Sequence, residues 1–172
     1  MSKALELGNK YKSLLAKYGI TTPLRLAHFF SQIAHESGGF KYLAELGGKS
    51  YFDKYEGRKD LGNTQKGDGY KFKGRGYIQV TGRANYSEIS KDLKIDFINN
   101  PELLEQEVNA IVSALWFWNK RKLNQFADLD DIKTITRKIN GGYNGLKERQ
   151  EYLTQYKKIF KYDEKNNLIE DI

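Results

Sequence analysis

The apolar residues of this chain recur mostly at helical spacing, and the clearest stripe lies between Thr22 and Gly38. Its apolar members are Leu26, Phe29, Phe30, Ile33 and Ala34. Thr22 followed by Pro23 is typical of a capped helix start, because a hydroxyl can bind the free backbone N–H groups and proline suits the first helical position. Gly38 and Gly39 are expected to end this helix.

A second stripe follows Asn100-Pro101-Glu102, which is the same kind of start signal with an acid in the first turn. Its apolar members are Leu103, Leu104, Val108, Ile111, Val112, Leu115 and Trp118. The pattern predicts a core helix from Pro101 onward. Weaker patterns predict further helices over Lys3 to Lys17, Ala84 to Leu93, Asp131 to Ile139 behind an Asp130 cap, and Leu146 to Phe160 after Gly145.

A segment of different composition runs from Lys54 to Arg83. It holds seven of the 16 glycines, and eight basic residues against three acidic ones. This predicts a basic, loop-rich insert at about residues 47–83, with a short β-hairpin near Tyr70 to Val80. Long loops within a compact domain are usually functional. The sequence therefore predicts a mainly α fold, one domain over residues 1–172, with the insert forming one wall of a cleft.

Composition narrows the class of protein. The 172 residues include no cysteine, which excludes disulfides, thiolate metal sites and a cysteine nucleophile. No apolar run approaches the roughly 18 residues of a membrane span, so we expect no stable membrane insertion. The first residues lack the pattern of a signal peptide, which predicts synthesis in the cytoplasm without a secretion signal of its own. The net charge of +7 favours polyanions: nucleic acid, an anionic membrane or an anionic cell wall.

Several motifs fail on spacing. His35-Glu36 begins a zinc-protease pattern, but the second histidine would have to stand at Gly39. The glycines from Gly69 to Gly76 lack the lysine and hydroxyl residue of a phosphate loop and the third glycine of a dinucleotide motif. We therefore predict no metal site and no cofactor.

Carboxylates remain as candidate catalysts. Glu36 lies in the last turn of the predicted first-stripe helix, and Glu45 follows nine residues later, beyond the Gly38-Gly39 break. Such a pair could supply the acid and the base of a glycosidase, whose carboxyl groups lie about 6.5–9.5 Å apart when a water must fit between them. On spacing alone, two solvated surface glutamates are the favoured explanation of the pattern.

Four segments in order resemble glycoside hydrolase family 19, and in particular its compact bacteriophage endolysins. They are AHESGGF (34–40), YEGRKDLGNTQKGDGYKFKGRGYIQVTGRANY (55–86), SALWFWN (113–119) and ITRKINGGYNGLKER (135–149). The resemblance implies a lysozyme-like, two-lobed helical fold with a cleft, and hydrolysis with inversion of a β-1,4 bond next to an N-acetylated sugar.

The resemblance also implies roles for individual residues. Glu36 matches the general acid, Glu45 the general base and Thr81 the hydroxyl that holds the attacking water; a hydroxyl that caps the Ala84 helix is the alternative for Thr81. Sugar-binding positions match Gln79, Asn85, Tyr86, Asn140, Tyr143 and Asn144. Arg149 matches an arginine that supports the carboxylates, or is an exposed helix charge, and His35 is a supporting candidate beside Glu36. Trp116 and Trp118 are interpreted as core residues rather than sugar platforms.

These matches predict a phage-type endolysin. It would cleave the bond from N-acetylmuramic acid to N-acetylglucosamine in peptidoglycan strands, as a monomer that a holin releases from the bacterial cytoplasm. Chitin hydrolysis is the alternative, and a non-catalytic polyanion-binding module that uses Lys54 to Arg83 is a third hypothesis, although no nucleic-acid motif appears. We find no separate wall-binding domain and no functional signal in the tail from Lys161 to Ile172.

Overall fold

The computed structural model describes residues 2–161, so most of the C-terminal tail lies outside the described residues. The prediction of a mainly helical fold is confirmed. The α-helices of the described residues are α1 (Lys3–Lys10), α2 (Lys12–Lys17), α3 (Pro23–Glu36), α4 (Asp68–Lys71), α5 (Arg83–Leu93), α6 (Glu107–Lys120), α7 (Asn124–Asp128), α8 (Ile132–Asn140) and α9 (Leu146–Ile159). Short 3₁₀ segments are Lys49–Tyr55, Lys59–Leu61 and Pro101–Glu105. No helix among the described residues is long and apolar enough to cross a membrane.

The chain divides into two compact units. The terminal unit comprises the residues up to Phe40 and those from Phe117 onward, and the middle unit comprises Lys41–Trp116. In the terminal unit α3 packs along α9. The Phe30 ring stacks on Phe160 at 5.4 Å, and Phe29 meets Trp118 edge-on at 5.4 Å. The apolar face of α3 is thus the centre of this unit's core.

The predicted start and end of α3 are confirmed. The Thr22 hydroxyl accepts a hydrogen bond of 3.1 Å from the backbone N–H of Arg25. The helix ends at Glu36, and Gly38 follows with a left-handed φ of 60°. A left-handed residue stops a helix at little cost when it is glycine. The chain therefore ends α3 with the Glu36 side chain on its last turn.

Two of the predicted helices have other boundaries in the structure. The first helix is interrupted at Tyr11. The helix predicted from Pro101 begins as a 3₁₀ segment, and α6 starts only at Glu107. The Asn100 side chain forms no cap bond, and its amide donates to the carbonyl of Asp96. The apolar stripe of α6 is correspondingly narrower than predicted, with Val108 46% exposed.

The cap of α8 is Asp131 rather than Asp130. The Asp131 carboxylate accepts bonds of 3.1 Å from the Thr134 N–H and 2.6 Å from the Thr134 hydroxyl. Asp130 instead adopts a left-handed φ of 54°, and its carboxylate binds the His28 ring and the Lys157 ammonium. Tertiary contacts thus shift the cap by one residue.

The β-hairpin predicted near Tyr70 to Val80 in the middle unit is wrong. No strand forms among the described residues of 41–116; Arg75 makes only isolated bridges to Ala44 and Val80. A tight turn explains this, because Gly76 and Gln79 both have positive φ, of 80° and 62°, and interrupt any extended run. The core of the unit is aromatic, and it contains Phe52, Phe72, Tyr86 and Phe97.

Candidate active site

Glu36 is held in the terminal unit by a buried arginine. The Arg149 Nη2 atom donates a 2.8 Å bond to Glu36 Oε1, and Nη1 donates a 2.6 Å bond to Gln32 Oε1. Its Nε donates to the Asn144 carbonyl at 3.2 Å. Arg149 is 1% exposed, so the alternative of an exposed helix charge is wrong. A guanidinium anchored at three points fixes the direction of the Glu36 carboxylate.

His35 does not contact the Glu36 carboxylate through its ring nitrogens. Its Nδ1 lies 2.8 Å from Glu148 Oε1 on the first turn of α9. The ring also lies against Gly145 so closely that a Cβ there would come within 2.1 Å of His35 Cε1. His35 therefore holds the start of α9, the helix that carries Arg149.

The loop between α8 and α9 carries three predicted sugar-binding residues. Asn140 Oδ1 accepts a 3.3 Å bond from the backbone N–H of Asn144. The Tyr143 side chain is 52% exposed, and Asn144 is also exposed while its carbonyl binds Arg149. The loop thus offers accessible polar groups within the unit that holds Glu36.

Glu45 lies in the middle unit on non-helical backbone. Its Oε1 accepts a 3.1 Å bond from the N–H of Gly74, and its Oε2 accepts a 2.9 Å bond from the Tyr55 hydroxyl. The Glu45 N–H in turn donates to the Gly74 carbonyl at 2.8 Å, and the Lys54 ammonium lies 3.8 Å from Oε2. The carboxylate is 21% exposed, so it is both held and accessible.

Three side-chain oxygens lie close together beside Gly74. A Cβ at this position would lie 2.7 Å from Gln79 Oε1, 3.0 Å from Glu45 Oε1 and 3.2 Å from Thr81 Oγ1. Glycine is therefore required here for a close approach of three side chains. The Thr81 hydroxyl donates to the Gln79 carbonyl, and Gly82 caps α5 without a side-chain bond. The alternative of Thr81 as a helix cap is wrong.

The remaining predicted binding residues of the middle unit differ in exposure. Gln79 is half-buried, and its amide donates to the Gly76 carbonyl at 2.9 Å. Asn85 is exposed and binds the Thr81 carbonyl at 2.8 Å. Tyr86 is 0% exposed, which corrects its assignment as a sugar-binding residue.

Tyr86 has a structural role instead. Its hydroxyl donates to the Lys73 carbonyl at 2.6 Å and accepts from Arg75 Nη1 at 3.0 Å. Burial raises the pKa of the Tyr86 phenol, so the hydroxyl stays a donor across the ordinary pH range. The Tyr86 hydroxyl thus anchors the glycine-rich segment through Lys73 and Arg75.

Sequence reasoning missed Tyr55 and Lys54 as neighbours of Glu45. Burial, followed by the hydrogen bond to Glu45, raises the pKa of the Tyr55 phenol above its ordinary value of 10.0. Tyr55 is the first residue of the recognised segment YEGRKD, and that position was the available signal. The contact between Tyr55 and Glu45 could not be predicted from the sequence, because the backbone that joins the two residues follows no regular period.

The two tryptophans are core residues, as predicted. Trp116 donates to Asp92 Oδ2 and Trp118 to Asn124 Oδ1, each at 2.8 Å, and both side chains are buried. Within residues 2–161 no group of three or more histidine and acidic side chains is arranged to hold a metal ion. The candidate catalytic side chains are therefore Glu36 in the terminal unit and Glu45 with Thr81 in the middle unit.

Comparison with known proteins gives the family. The profile of the class I chitinases, glycoside hydrolase family 19, matches residues 18–141. That range includes Glu36, Glu45 and Thr81, whereas Tyr143, Asn144 and Arg149 lie beyond it. A glycosyl hydrolase family 19 domain-containing protein of Haemophilus influenzae is 33% identical over 78% of this chain and 80% of its own length.

Plant and bacterial chitinases are also similar. An Arabidopsis thaliana endochitinase, At2g43620, is 32% identical over 76% of this chain but only 44% of its own length. The crystal structure of chitinase C from Streptomyces griseus superposes with a TM-score of 0.66 at 25% identity, covering 80% of this chain and 59% of that one. This chain thus spans about half the length of those chitinases. Its sequence profile, its relatives and its fold agree: the chain belongs to glycoside hydrolase family 19, the chitinase-type hydrolases.

Proposed function

We propose that this protein hydrolyses the β-1,4 bond from N-acetylmuramic acid to N-acetylglucosamine in peptidoglycan, by a single displacement that inverts the anomeric centre. The observation that carries the proposal is that Glu45 Oε1 and Thr81 Oγ1 lie close together beside Gly74. A carboxylate beside a hydroxyl can bind and deprotonate one water molecule. Inverting glycosidases need such a base together with a separate carboxylic acid.

Glu36 takes the part of the acid. It donates a proton to the glycosidic oxygen as the bond breaks, and the departing sugar leaves as an alcohol. Arg149 fixes the direction of the carboxyl group through the 2.8 Å bond to Oε1. Because that bond uses only Oε1, Oε2 is the oxygen that we assign to carry the proton.

Glu45 takes the part of the base. Its Oε1 accepts one bond from the Gly74 N–H and keeps a second lone pair, which receives the proton of the attacking water while Thr81 orients that water. The water oxygen bonds to the anomeric carbon from the face opposite the leaving group, which gives inversion. Glu45 ends protonated and Glu36 ionised, and proton exchange with solvent restores both.

The choice of peptidoglycan over chitin rests on charge. The net charge of +7 favours an anionic polymer, whereas chitin is neutral. Chitin is the second candidate, favoured by the similarity to plant endochitinases. Both polymers offer the same N-acetylated sugar to the same acid and base.

Mass spectrometry of the released products separates the two candidates. The purified protein and its Glu36→Gln variant each digest purified peptidoglycan and, in parallel, chitin oligomers. We expect muropeptides with a reducing N-acetylmuramic acid end from the wild type alone. Chitin fragments without muropeptides would assign a chitinase, and the absence of products from both polymers would contradict the proposal.

The resemblance to phage endolysins also leads us to propose that the protein is made in the bacterial cytoplasm and reaches the wall through a holin. Expression in a bacterium with and without a holin in trans tests this. We expect lysis only when the holin is present. Lysis without it would contradict holin-dependent release. Sedimentation equilibrium tests the proposed monomer.

A further inference from the structure

The middle unit carries a set of lysines seated over tyrosine rings, which we call the lysine–tyrosine patch. Its members are Lys49, Tyr51, Lys54, Tyr70 and Lys73. They come from the 3₁₀ segment Lys49–Tyr55 and from α4 and its end, which pack together. The function proposed above uses none of these five residues.

A buried phenylalanine holds the patch together. Phe52 is 0% exposed, and its ring lies 5.1 Å from that of Tyr51 and 5.7 Å from that of Tyr70, both nearly edge-on. The two tyrosines therefore stand on a rigid base while remaining 50% and 38% exposed. Their positions are set by the core of the unit and not by solvent-facing loops.

The tyrosine rings position the ammonium groups. Lys54 Nζ lies 3.9 Å from the centroid of Tyr51, while Lys73 and Lys49 lie 4.7 and 5.6 Å from the centroid of Tyr70. A cation over an aromatic face is held without being neutralised, since the ring carries no net charge. Lys49 and Lys73 therefore keep their capacity to attract an anion, whereas Lys54 already lies 3.8 Å from Glu45 Oε2.

Nearby carboxylates are mostly bound to other groups. Asp68 pairs with Arg83, Asp60 with Arg58, and Glu56 accepts bonds from the N–H groups of Gly67 and Gly69. Asp53 is the exposed acid of the same 3₁₀ segment and offsets one charge. In the described part of the chain, neither Lys49 nor Lys73 forms an ion pair with a carboxylate.

The patch adjoins the candidate base. Lys54 lies 3.8 Å from Glu45 Oε2 while also lying over Tyr51, so the basic surface continues directly from the residue that we assign to activate water. A polymer bound at Glu45 can extend over these lysines. A neutral sugar chain would gain little from the ammonium groups of Lys49 and Lys73, whereas a chain with carboxylates would gain charge-assisted bonds.

We propose that the lysine–tyrosine patch binds the carboxylates of the stem peptides on peptidoglycan strands and thereby selects this polymer over neutral chitin. The proposal rests on the function proposed above. It assigns Lys49 and Lys73 as specificity residues and Tyr70 as the residue that positions both ammonium groups.

Binding measurements test the patch independently of turnover. In the Glu36→Gln background, isothermal titration compares soluble peptidoglycan strands with the same strands after chemical amidation of their carboxylates. For Lys49→Gln/Lys73→Gln we expect the affinity for carboxylated strands to fall about five- to tenfold at low salt, and the affinity for amidated strands to change by at most about twofold. Tyr70→Leu should cause a smaller loss with the same selectivity.

A matched control removes two lysines elsewhere. Lys91→Gln/Lys133→Gln deletes the same charge from exposed positions on α5 and α8, and should leave the ratio of the two affinities unchanged. Thermal unfolding of every variant, with midpoints within about two degrees of the parent, establishes that the fold is kept.

Three outcomes would overturn the patch assignment. The first is an equal loss of affinity in the control variant, and the second is an equal loss for carboxylated and amidated strands in Lys49→Gln/Lys73→Gln. The third is that Lys49→Gln/Lys73→Gln loses more affinity for a single-stranded RNA oligomer than for the strands, which would assign the patch to nucleic acid. Product analysis of the wild type decides the proposed hydrolysis separately. If the wild type does not cleave the strands, the proposed hydrolysis is contradicted. The ratio of the two affinities still tests whether the patch binds carboxylates.

Discussion

The two candidate catalytic carboxylates are held in opposite ways. Glu36 stands on the last turn of a long helix, and a buried guanidinium fixes it by an ion pair. Glu45 stands on irregular backbone, and a glycine N–H with a tyrosine hydroxyl fixes it by hydrogen bonds. The Arg149 guanidinium binds one oxygen of Glu36, whereas the neutral donors bind each oxygen of Glu45 once and leave further lone pairs available to act as a base. The difference in their partners matches the separate acid and base roles that we propose for the two carboxylates.

The largest expected effect separates the acid from the base. Glu36→Gln should lower turnover of the polymer by about 10³-fold, because the amide cannot donate the proton. With a nitrophenyl glycoside, whose leaving group needs no proton, the loss should shrink to about tenfold. Steady-state kinetics on both substrates measure this.

Glu45→Ala completes the comparison. Turnover of both substrates should fall by about 10²- to 10³-fold, since no group deprotonates the water. Added azide should restore part of the rate, with the glycosyl azide of inverted configuration as product. Glu151→Gln, an exposed acid on α9, is the control and should match the wild type. Equal losses for Glu36→Gln on polymer and nitrophenyl glycoside would contradict the assignment of the acid.

Removal of the arginine should destabilise the terminal unit. Arg149→Met leaves the Glu36 carboxylate and the Gln32 amide without their buried partner, so we expect the free energy of unfolding to fall by about 3 kcal/mol. Urea denaturation measures it. Arg137→Met, at an exposed position of α8, should change the value by less than about 0.5 kcal/mol. Similar values for the two variants would show that the buried ion pair is not what holds Glu36.

The middle unit should respond to acid through Asp68. The hydrogen bond from Arg83 lowers the pKa of the Asp68 carboxyl, whose side chain is 2% exposed. A carboxyl with a lowered folded pKa contributes stability above its unfolded pKa of about 3.9, and loses it as the pH falls through the folded value.

Asp68→Asn should therefore cost about 2 kcal/mol of unfolding free energy at pH 7, and this difference from wild type should shrink below about pH 4. Urea midpoints from pH 2 to pH 7 measure both. Asp53→Asn, which changes an exposed acid of the same unit, should show no comparable difference. A gap between wild type and Asp68→Asn that stays constant with pH would contradict the ion-pair explanation.

The smallest expected effect comes from removing the Tyr55 hydroxyl, a neutral donor to Glu45. Tyr55→Phe removes one hydrogen bond from Glu45 Oε2, and kcat should fall about tenfold with KM nearly unchanged, since one charge-assisted bond contributes about 1.5 kcal/mol. Tyr42→Phe, at a 44% exposed position of the same unit, is the control. A large rise in KM would instead make Tyr55 a binding residue.

The surroundings of Glu36 could be predicted from the sequence better than those of Glu45. The start of α3 at Thr22-Pro23, its end before Gly38 and the position of Glu36 on its last turn follow from local capping rules and 3.6-residue periodicity. The surroundings of Glu45 do not follow from any period. Gly74 and Tyr55, which bind it, lie 29 and 10 residues away along irregular chain.

The sequence by itself determined the mainly helical class, most helix positions, the family and the identity of the candidate carboxylates, because these depend on short-range patterns and on recognisable segments. Only the tertiary structure decided that Arg149 is buried against Glu36, that Tyr86 is core and not a ligand for sugar, and that the predicted hairpin is a turn. Burial and long-range pairing depend on which surfaces meet after folding, and no local period in the chain encodes that meeting.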